Sequence, residues 1–148
     1  MAKLLILGPT YTRNTDPKPI PAIERYDGAV YRIIRKNLER VAEKGIDILI
    51  ITEDLDVITS DTKLPYKPPV GESWRERTQV KKDLERIKRL RNQILELVSR
   101  KDYEEVFIAL SREYQELLPD LTPYVKKIIS NFRGFGLKLK ALKQWLLN

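Results

Sequence analysis

The chain has 148 residues, a net charge of +7, and neither histidine nor cysteine. The absence of histidine excludes serine-hydrolase triads and histidine general bases, and the absence of cysteine excludes thiolate nucleophiles, disulfides and Cys/His zinc sites. Any catalysis must therefore use carboxylate, hydroxyl, lysine or arginine groups. The length suits one domain, residues 1–148, and the charged fraction of 33% resembles a thermophile composition.

The first part of the chain predicts two buried strands with a loop and a helix between them. Residues 3–8 and 46–52 are continuous apolar runs, which are typical of parallel strands covered on both faces. Four prolines exclude a helix from residues 9–26 and predict an ordered loop there. Asp27 is the predicted N-cap of an amphipathic helix, and Gly45 supplies the left-handed residue that ends it.

The middle of the chain predicts a second loop, a long helix and a third strand. Residues 53–73 contain prolines and acidic residues and form the loop. Apolar residues at three- and four-residue spacing predict a basic amphipathic helix from about residue 72 to residue 100. Residues 105–110 form the third strand, and Ser111 is the predicted N-cap of a short helix over residues 112–118.

The last part of the chain is less regular. Residues 124–130 fit either a fourth strand or a helical turn, and Gly134 and Gly136 are predicted to break the chain before a final helix over residues 137–147. Alternating strands and helices predict a three-layer α/β domain with a small, mostly parallel sheet of three or four strands flanked by helices. Ligands bind such sheets beyond the carboxyl ends of the strands, so we expect a site at that edge.

Polar residues at the strand ends are the candidates for ligand binding. Ser111 opens a helix, whose free N–H groups attract phosphate, although a plain capping role explains Ser111 equally well. Aromatic residues near arginines in the two long loops suit either stacking on a base or sealing the loops against the sheet edge. The candidate ligand-binding residues are Thr10, Arg13, Tyr26, Thr52, Ser111 and Arg112.

Acidic residues cluster after the second strand. Glu53 is the candidate catalytic base, provided that it is partly buried. Asp54 and Asp56 could bind Mg²⁺ or Ca²⁺ weakly or be solvated loop acids, and their spacing fits no EF-hand. The chain contains no GxGxxG, Walker A or GxSxG motif. We therefore expect no cofactor and no resident metal ion.

The positive charge is concentrated in two segments. Residues 75–101 carry ten basic and four acidic side chains, and residues 126–148 carry six basic and no acidic side chains. Such segments either contact nucleic-acid phosphates or are solvated helix faces. The residues chosen as nucleic-acid contacts share one face of the long predicted helix: Lys82, Arg86 and Arg89.

The apolar segments are too short for a membrane span, which needs about 18 or more consecutive apolar residues. The apolar start of the chain is also too short for the core of a signal peptide and is better explained as a strand. We therefore expect a cytoplasmic protein without a membrane partner, and the oligomeric state stays open.

Several short segments share their order and pattern with one family. The segment from Pro21 to Tyr31 carries PA followed by Y-x-G-x-x-Y, and residues 47–52 are followed by KLPY at residues 63–66. Residues 107–114, FIALSREY, precede a GFG and a final helix with LKQWL. In these features the chain resembles the YaaA-like family, which comprises peroxide-stress proteins and related uncharacterised α/β domains. Relatives carry a polar Cys/Ser-x-x-Lys segment after the first strand, where residues 8–13 here read GPTYTR.

The resemblance implies a single α/β domain with a cleft and links to DNA protection, and it supplies no agreed reaction. Related domains also occur within tRNA-modifying enzymes. We therefore expect binding of nucleic acid or of a nucleotide-like phosphorylated ligand at the carboxyl ends of the strands. One alternative is an enzyme acting on a nucleotide or phosphorylated small molecule, with Glu53 as base and Ser111 and Arg112 holding phosphate. The other is a protein-interaction module that uses the basic helix of residues 75–100.

Overall fold

The computed structural model describes residues 2–67, 82–130 and 132–148 and has an α/β fold. Its strands are β1 (Ala2–Leu7), β2 (Ile20–Pro21), β3 (Ile46–Ile51), β4 (Val57–Thr59), β5 (Lys63–Leu64), β6 (Tyr103–Ala109) and β7 (Val125–Ile129). The main sheet has five strands in the order β4-β3-β1-β6-β7. Within it β4 is antiparallel to β3, and the other neighbouring pairs are parallel. Strands β2 and β5 form a separate antiparallel pair.

The strand count corrects the prediction of three or four strands. Strand β4 lies in the predicted loop over residues 53–73, and its three residues pair with the end of β3. A strand this short carries too few residues to show an alternating pattern in sequence. Residues 124–130 contain β7, so this segment is a strand and not a helical turn.

The helices are α1 (Ala22–Arg25), α2 (Ala29–Lys36), α3 (Leu38–Glu43), α4 (Leu84–Ser99), α5 (Arg112–Gln115) and α6 (Phe135–Leu147). The helix predicted between Asp27 and Gly45 is divided into α2 and α3 at Asn37, whose φ of −124° is not helical. The Asn37 side chain donates to the backbone oxygen of Ile33 at 2.7 Å, a bond that competes with the regular helix ladder. Gly45 has a φ of 63°, as its predicted role requires.

The predicted N-cap role of Asp27 is wrong. Helix α2 starts after Gly28, which has a φ of 128°, and Gly28 is the N-cap. The Asp27 carboxylate instead pairs with Arg35 at 2.6 Å and with Arg32 at 3.2 Å. Hydrogen bonds from Arg32 and then from Arg35 hold the pKa of Asp27 well below its ordinary value. This cluster fixes the start of α2 relative to the preceding loop.

Three later helix boundaries also differ from prediction. Helix α4 begins only at Leu84, because the Asp83 side chain is its N-cap and accepts hydrogen bonds from the N–H groups of Glu85 and Arg86. The predicted helical residues 72–81 lie outside the described residues. Helix α5 ends at Gln115, three residues before the predicted end. Gly136 lies inside α6 and does not break the chain.

Two hydrophobic clusters lie on opposite faces of the main sheet. Side chains of a strand alternate between faces, and those of β1 divide accordingly. Leu5 and Leu7 pack with apolar residues of α1, α2, α3 and α6. Leu4 and Ile6 pack with apolar residues of α4 and α5. None of the described helices combines the length and apolar character that a membrane span requires.

The predicted loop over residues 9–26 contains β2 and α1, and a buried arginine orders it. Arg25 is 1% exposed, and its guanidinium donates to the backbone oxygens of four residues. These are Asn14 at 2.7 Å, Asp16 at 2.8 Å, Lys18 at 2.5 Å and Leu64 at 3.1 and 3.2 Å. The five bonds use all five N–H groups of the side chain. Arg25 therefore joins the loop to β5 and has a structural role.

Candidate functional site

The strand order opens a crevice at the carboxyl ends of β1 and β6. After β1 the chain continues into helices on one face of the sheet, and after β6 it continues into α5 on the other face. Neighbouring parallel strands that diverge in this way leave a crevice, and ligands of such sheets bind there. We call it the switch crevice. It has a volume of about 160 Å³, and its lining includes Gly8, Pro9, Thr10, Tyr31, Ser111, Phe135 and Lys138.

The floor of the switch crevice is closely packed. The hydroxyl of Tyr31, a buried residue, donates to the backbone oxygen of Gly8 at 2.6 Å. A Cβ atom at Gly8 would lie 2.9 Å from the Leu110 side chain, so glycine allows the ends of the two strands to approach. Glycine at this position therefore has a packing reason, independent of any ligand.

Lys138 is the charged side chain in the lining of the switch crevice. It belongs to the first turn of α6 and is half-buried, and this burial lowers the pKa of its ammonium group. The ammonium lies 5.1 Å from the centre of the Phe135 ring. Within residues 2–67, 82–130 and 132–148 no carboxylate pairs with it. The crevice therefore presents a partly desolvated positive charge beside an aromatic ring.

A second cavity, which we call the Glu53 cavity, lies at the carboxyl end of β3. It also has a volume of about 160 Å³. The Arg13 guanidinium and the Glu53 carboxylate are 2.9 Å apart there, and their side chains are only 6% and 18% exposed. The Tyr26 hydroxyl donates to the other Glu53 oxygen at 2.7 Å, and the Arg13 guanidinium lies 5.4 Å from the Tyr26 ring centre. Three sequence-distant residues thus form one buried charged cluster.

The contacts of Glu53 determine its protonation. Burial by itself would raise the pKa of Glu53, but the Tyr26 hydroxyl and the Arg13 guanidinium outweigh it, so the pKa lies below its ordinary value. The pKa of Tyr26 is raised well above its ordinary range by burial and by the adjacent Glu53 charge. A carboxylate with a lowered pKa is a weak proton acceptor near neutral pH. The geometry therefore favours Glu53 as a hydrogen-bond acceptor more than as a catalytic base.

A strained turn positions the Glu53 carboxylate. Leu55 has a φ of 63°, the left-handed region that costs a non-glycine residue about 1–2 kcal/mol. Its side chain is fully buried in the core, which offsets this cost. Thr52 closes the turn: its N–H donates to the Asp56 oxygen at 2.9 Å, and its hydroxyl accepts from the Asp56 N–H at 3.1 Å. Thr52 thus has a structural role at the cavity wall.

The predicted ligand-binding residues are divided between the two cavities. Arg13, Tyr26 and Thr52 line the Glu53 cavity, and Thr10 and Ser111 line the switch crevice. Arg112 is exposed and lines neither cavity.

The two predicted residues in the switch crevice, Thr10 and Ser111, differ in the contacts of their hydroxyl groups. The Thr10 hydroxyl donates to the Thr12 backbone oxygen at 2.6 Å and accepts from the Asp27 N–H at 3.1 Å, so it is engaged within the loop. Ser111 is the N-cap residue of α5, as predicted, but its hydroxyl makes no capping hydrogen bond.

Sequence reasoning missed the two residues that α6 contributes, Phe135 and Lys138. The one signal that could have found them was the excess of basic residues over residues 126–148, together with the glycines at the start of α6. Neither signal indicates which of the basic side chains turns inward toward the strand ends.

Two of the three predicted nucleic-acid contacts, Arg86 and Arg89, lie on α4 next to acidic residues. Arg86 is 3.5 Å from Asp83 and 3.9 Å from Asp54, and Arg89 is 3.8 Å from Asp56. The predicted shared helix face is wrong for Lys82, which is exposed but precedes the helix because the Asp83 N-cap starts it at Leu84. These pairs are solvent-exposed and weak, but they reduce the positive potential that a phosphate backbone would meet.

The basic residues of the C-terminal segment have fewer acidic neighbours. Among its described residues, Lys127 has an ion pair, with Glu105 at 3.8 Å. The exposed basic residues of this segment that have no ion pair with any described residue are Lys126, Arg133, Lys140 and Lys143.

Asp54 and Asp56 do not assemble into a wider acidic site. Across the described ranges no group of three or more potential ligand side chains is placed to hold a metal ion. Asp54 instead lies 4.0 Å from Lys67 and 3.9 Å from Arg86.

Comparison of the chain with protein-family models, curated proteins and solved structures returns no match.

Proposed function

We propose that this chain binds a nucleotide-like phosphorylated ligand at the carboxyl edge of the parallel strands, with the phosphate in the switch crevice. The observation that carries the proposal is the position of Lys138. Its ammonium is half-buried at the point where the strand order leaves a crevice, and its described surroundings hold no carboxylate. A desolvated cation is destabilised until an anion approaches it, so binding of a phosphate relieves this penalty.

The rest of the crevice suits such a ligand. Lysine binds phosphate as a compact point charge. The Ser111 hydroxyl is exposed at the crevice wall and can donate a further hydrogen bond. Phe135 is exposed at the crevice and supplies aromatic surface for the part of the ligand next to the phosphate.

Titration with inorganic phosphate, followed by the amide signals of the ¹⁵N-labelled protein, tests the proposal. We expect shifts at residues 8 and 10, at 111–113 and at 135–138. Lys138→Gln removes a charge-assisted hydrogen bond of about 1.5–3 kcal/mol and should weaken phosphate binding roughly 10- to 100-fold. The matched control is Lys140→Gln, because Lys140 is an exposed lysine of the same helix. Equal affinity for both variants would refute the proposal.

Ser111, which follows β6, gives a second, independent test of the same crevice. Ser111→Asp should weaken phosphate binding far more than Ser111→Ala, because the carboxylate places negative charge beside the ligand. An unchanged affinity in Ser111→Asp would move the site away from the end of β6.

A second candidate function is binding of a nucleic-acid chain, and the C-terminal basic surface favours it. Lys126, Arg133, Lys140 and Lys143 are exposed, and no carboxylate neutralises them in the described part of the chain. Contacts with successive phosphates make affinity fall steeply as salt rises, whereas a ligand held in a crevice shows a shallow dependence. Affinity for an oligonucleotide and for a mononucleotide, measured from 50 to 200 mM salt, separates the two functions.

We also propose that the chain is a distant YaaA-like domain with three layers. The segments quoted for the resemblance and the hydrophobic clusters on the two faces of the sheet support this assignment. The cytoplasmic location stays a prediction from the sequence.

A further inference from the structure

The two cavities at the strand ends are neighbours with different electrostatics. Tyr31 lines the switch crevice and Tyr26 lines the Glu53 cavity, and their ring centres are 5.7 Å apart. Among the described lining residues of the switch crevice, Lys138 alone is charged. The Glu53 cavity has three carboxylates and three cations in its lining.

We infer that the Glu53 cavity is a second subsite, which takes an uncharged hydrogen-bonding ring such as a nucleobase. The inference rests on the proposed function only in assigning this ring and the phosphate to one ligand. The cavity by itself selects the kind of group that enters it, through its charge balance, its free hydrogen-bonding positions and its size.

The charge balance disfavours an ionic group in the Glu53 cavity. Arg25 has all its N–H groups engaged with backbone oxygens, so Arg13 and Lys67 are the cations that remain to meet a ligand. An anion would approach the carboxylates of Glu53, Asp54 and Asp56. A cation would disturb the buried pair of Arg13 and Glu53. An uncharged group with both donors and acceptors avoids both penalties.

Hydrogen-bonding positions are left free on both members of the buried pair. Within the described residues the Arg13 side chain donates through Nε to Thr10 and through Nη1 to Lys67, and Nη1 also contacts Glu53. Nη2 can therefore donate to a ring oxygen or nitrogen. The Glu53 carboxylate accepts from the Tyr26 hydroxyl at one oxygen and meets the Arg13 guanidinium at the other, and its own backbone N–H also contributes a hydrogen bond. A carboxylate offers about four lone-pair positions, so it can still accept from a ring N–H group.

The size and the apolar wall of the cavity suit one ring. A volume of about 160 Å³ corresponds to about five water molecules and is smaller than the roughly 300–1,000 Å³ of a pocket for a whole drug-sized ligand. Ile58, Leu64 and Pro65 form apolar lining on which the face of a ring can pack. The polar groups of Arg13 and Glu53 then meet its edge.

Titration of the protein with four uncharged nucleosides, adenosine, guanosine, cytidine and uridine, tests the inference. We expect at least one of them to shift the amide signals of residues 13, 26, 53 and 54 while leaving those of 111 and 135–138 in place. The matching 5′-monophosphate should shift both sets and bind at least about 10-fold tighter than the nucleoside. Absence of nucleoside-induced shifts at residues 13, 26, 53 and 54 would overturn the inference.

Two variants separate this inference from the proposed function. Lys138→Gln should remove the advantage of the monophosphate and leave nucleoside affinity unchanged. Glu53→Gln should weaken nucleoside binding about 10-fold or more and leave the affinity for inorganic phosphate unchanged. If Glu53→Gln unfolds, Tyr26→Phe serves instead, because it removes the hydroxyl that donates to a Glu53 oxygen. Tyr26→Phe should change the affinity for nucleosides and leave the affinity for inorganic phosphate unchanged. Phosphate binding without nucleoside binding overturns the second subsite alone, and the reverse result overturns the phosphate site alone.

Discussion

Replacement of the buried Arg25 should destabilise the loop that carries both cavities. Arg25→Met keeps much of the side-chain length but removes five hydrogen bonds to four backbone oxygens. A net contribution of about 0.5–1.5 kcal/mol for each bond gives roughly 3–7 kcal/mol. The oxygens of residues 14, 16 and 18 belong to exposed residues and can be rehydrated. The lower part of this range, about 3–5 kcal/mol, is therefore expected.

Urea unfolding followed by circular dichroism measures this loss as a change in the free energy of unfolding. A domain of this size has about 5–15 kcal/mol in total, so the variant loses a large share of it. Each kcal/mol lowers the melting temperature by about 2–4 °C, which predicts a fall of roughly 6–20 °C. Arg133→Met is the matched control, because Arg133 is exposed.

The control variant shows whether the loss comes from the buried position of Arg25 or from removal of any arginine. Arg133→Met should change the free energy of unfolding by less than about 0.5 kcal/mol, as is usual for surface positions. Arg25→Lys should recover only part of the loss, because an ammonium has three donors for four oxygens. A loss below about 1 kcal/mol in Arg25→Met would show that the loop is ordered by other contacts.

Three further predictions concern pH, backbone strain and charge. The pKa values of Asp27 and Glu53 are lowered from ordinary values of 3.8 and 4.5, so on acidification the unfolded chain binds more protons than the folded chain. The free energy of unfolding should therefore be highest above about pH 5 and fall as the pH is lowered. In urea unfolding, Glu53→Gln should show a smaller fall with pH than wild type. Leu55→Ala should destabilise the fold by about 2–5 kcal/mol in urea unfolding. Leu55→Gly should be about 1 kcal/mol more stable than Leu55→Ala, because glycine tolerates the φ of 63°, and a less stable Leu55→Gly would contradict the presence of backbone strain at this residue. Reversal of Lys126, Lys140 and Lys143 to Glu should reduce gel retardation of an oligonucleotide more than the same change at Lys82, Arg86 and Arg89, because Arg86 and Arg89 have acidic neighbours. The opposite ranking would assign phosphate contact to this second set.

The buried strands were predictable from the sequence because each is a continuous apolar run. The bounds of β1, β3 and β6 lie within two residues of those predicted, since a strand covered on both faces needs apolar side chains at nearly every position. Strands β2, β4 and β5 were missed because two or three residues carry no periodicity, and they form only through pairing with distant segments. Asp27 was mistaken for an N-cap because the sequence alone does not reveal its two arginine partners.

The sequence by itself determined the class of fold and the edge of the sheet at which a site is expected, because those follow from alternating strands and helices. Which residues meet at that edge depended on the strand order. Strand β1 lies between β3 and β6, so Arg13 joins Glu53 on one side while Ser111 lies on the other. Lys138 reaches the crevice only because α6 packs on the same face as the helices that follow β1. Such docking is decided by the burial of apolar surface between distant segments, which no local pattern encodes.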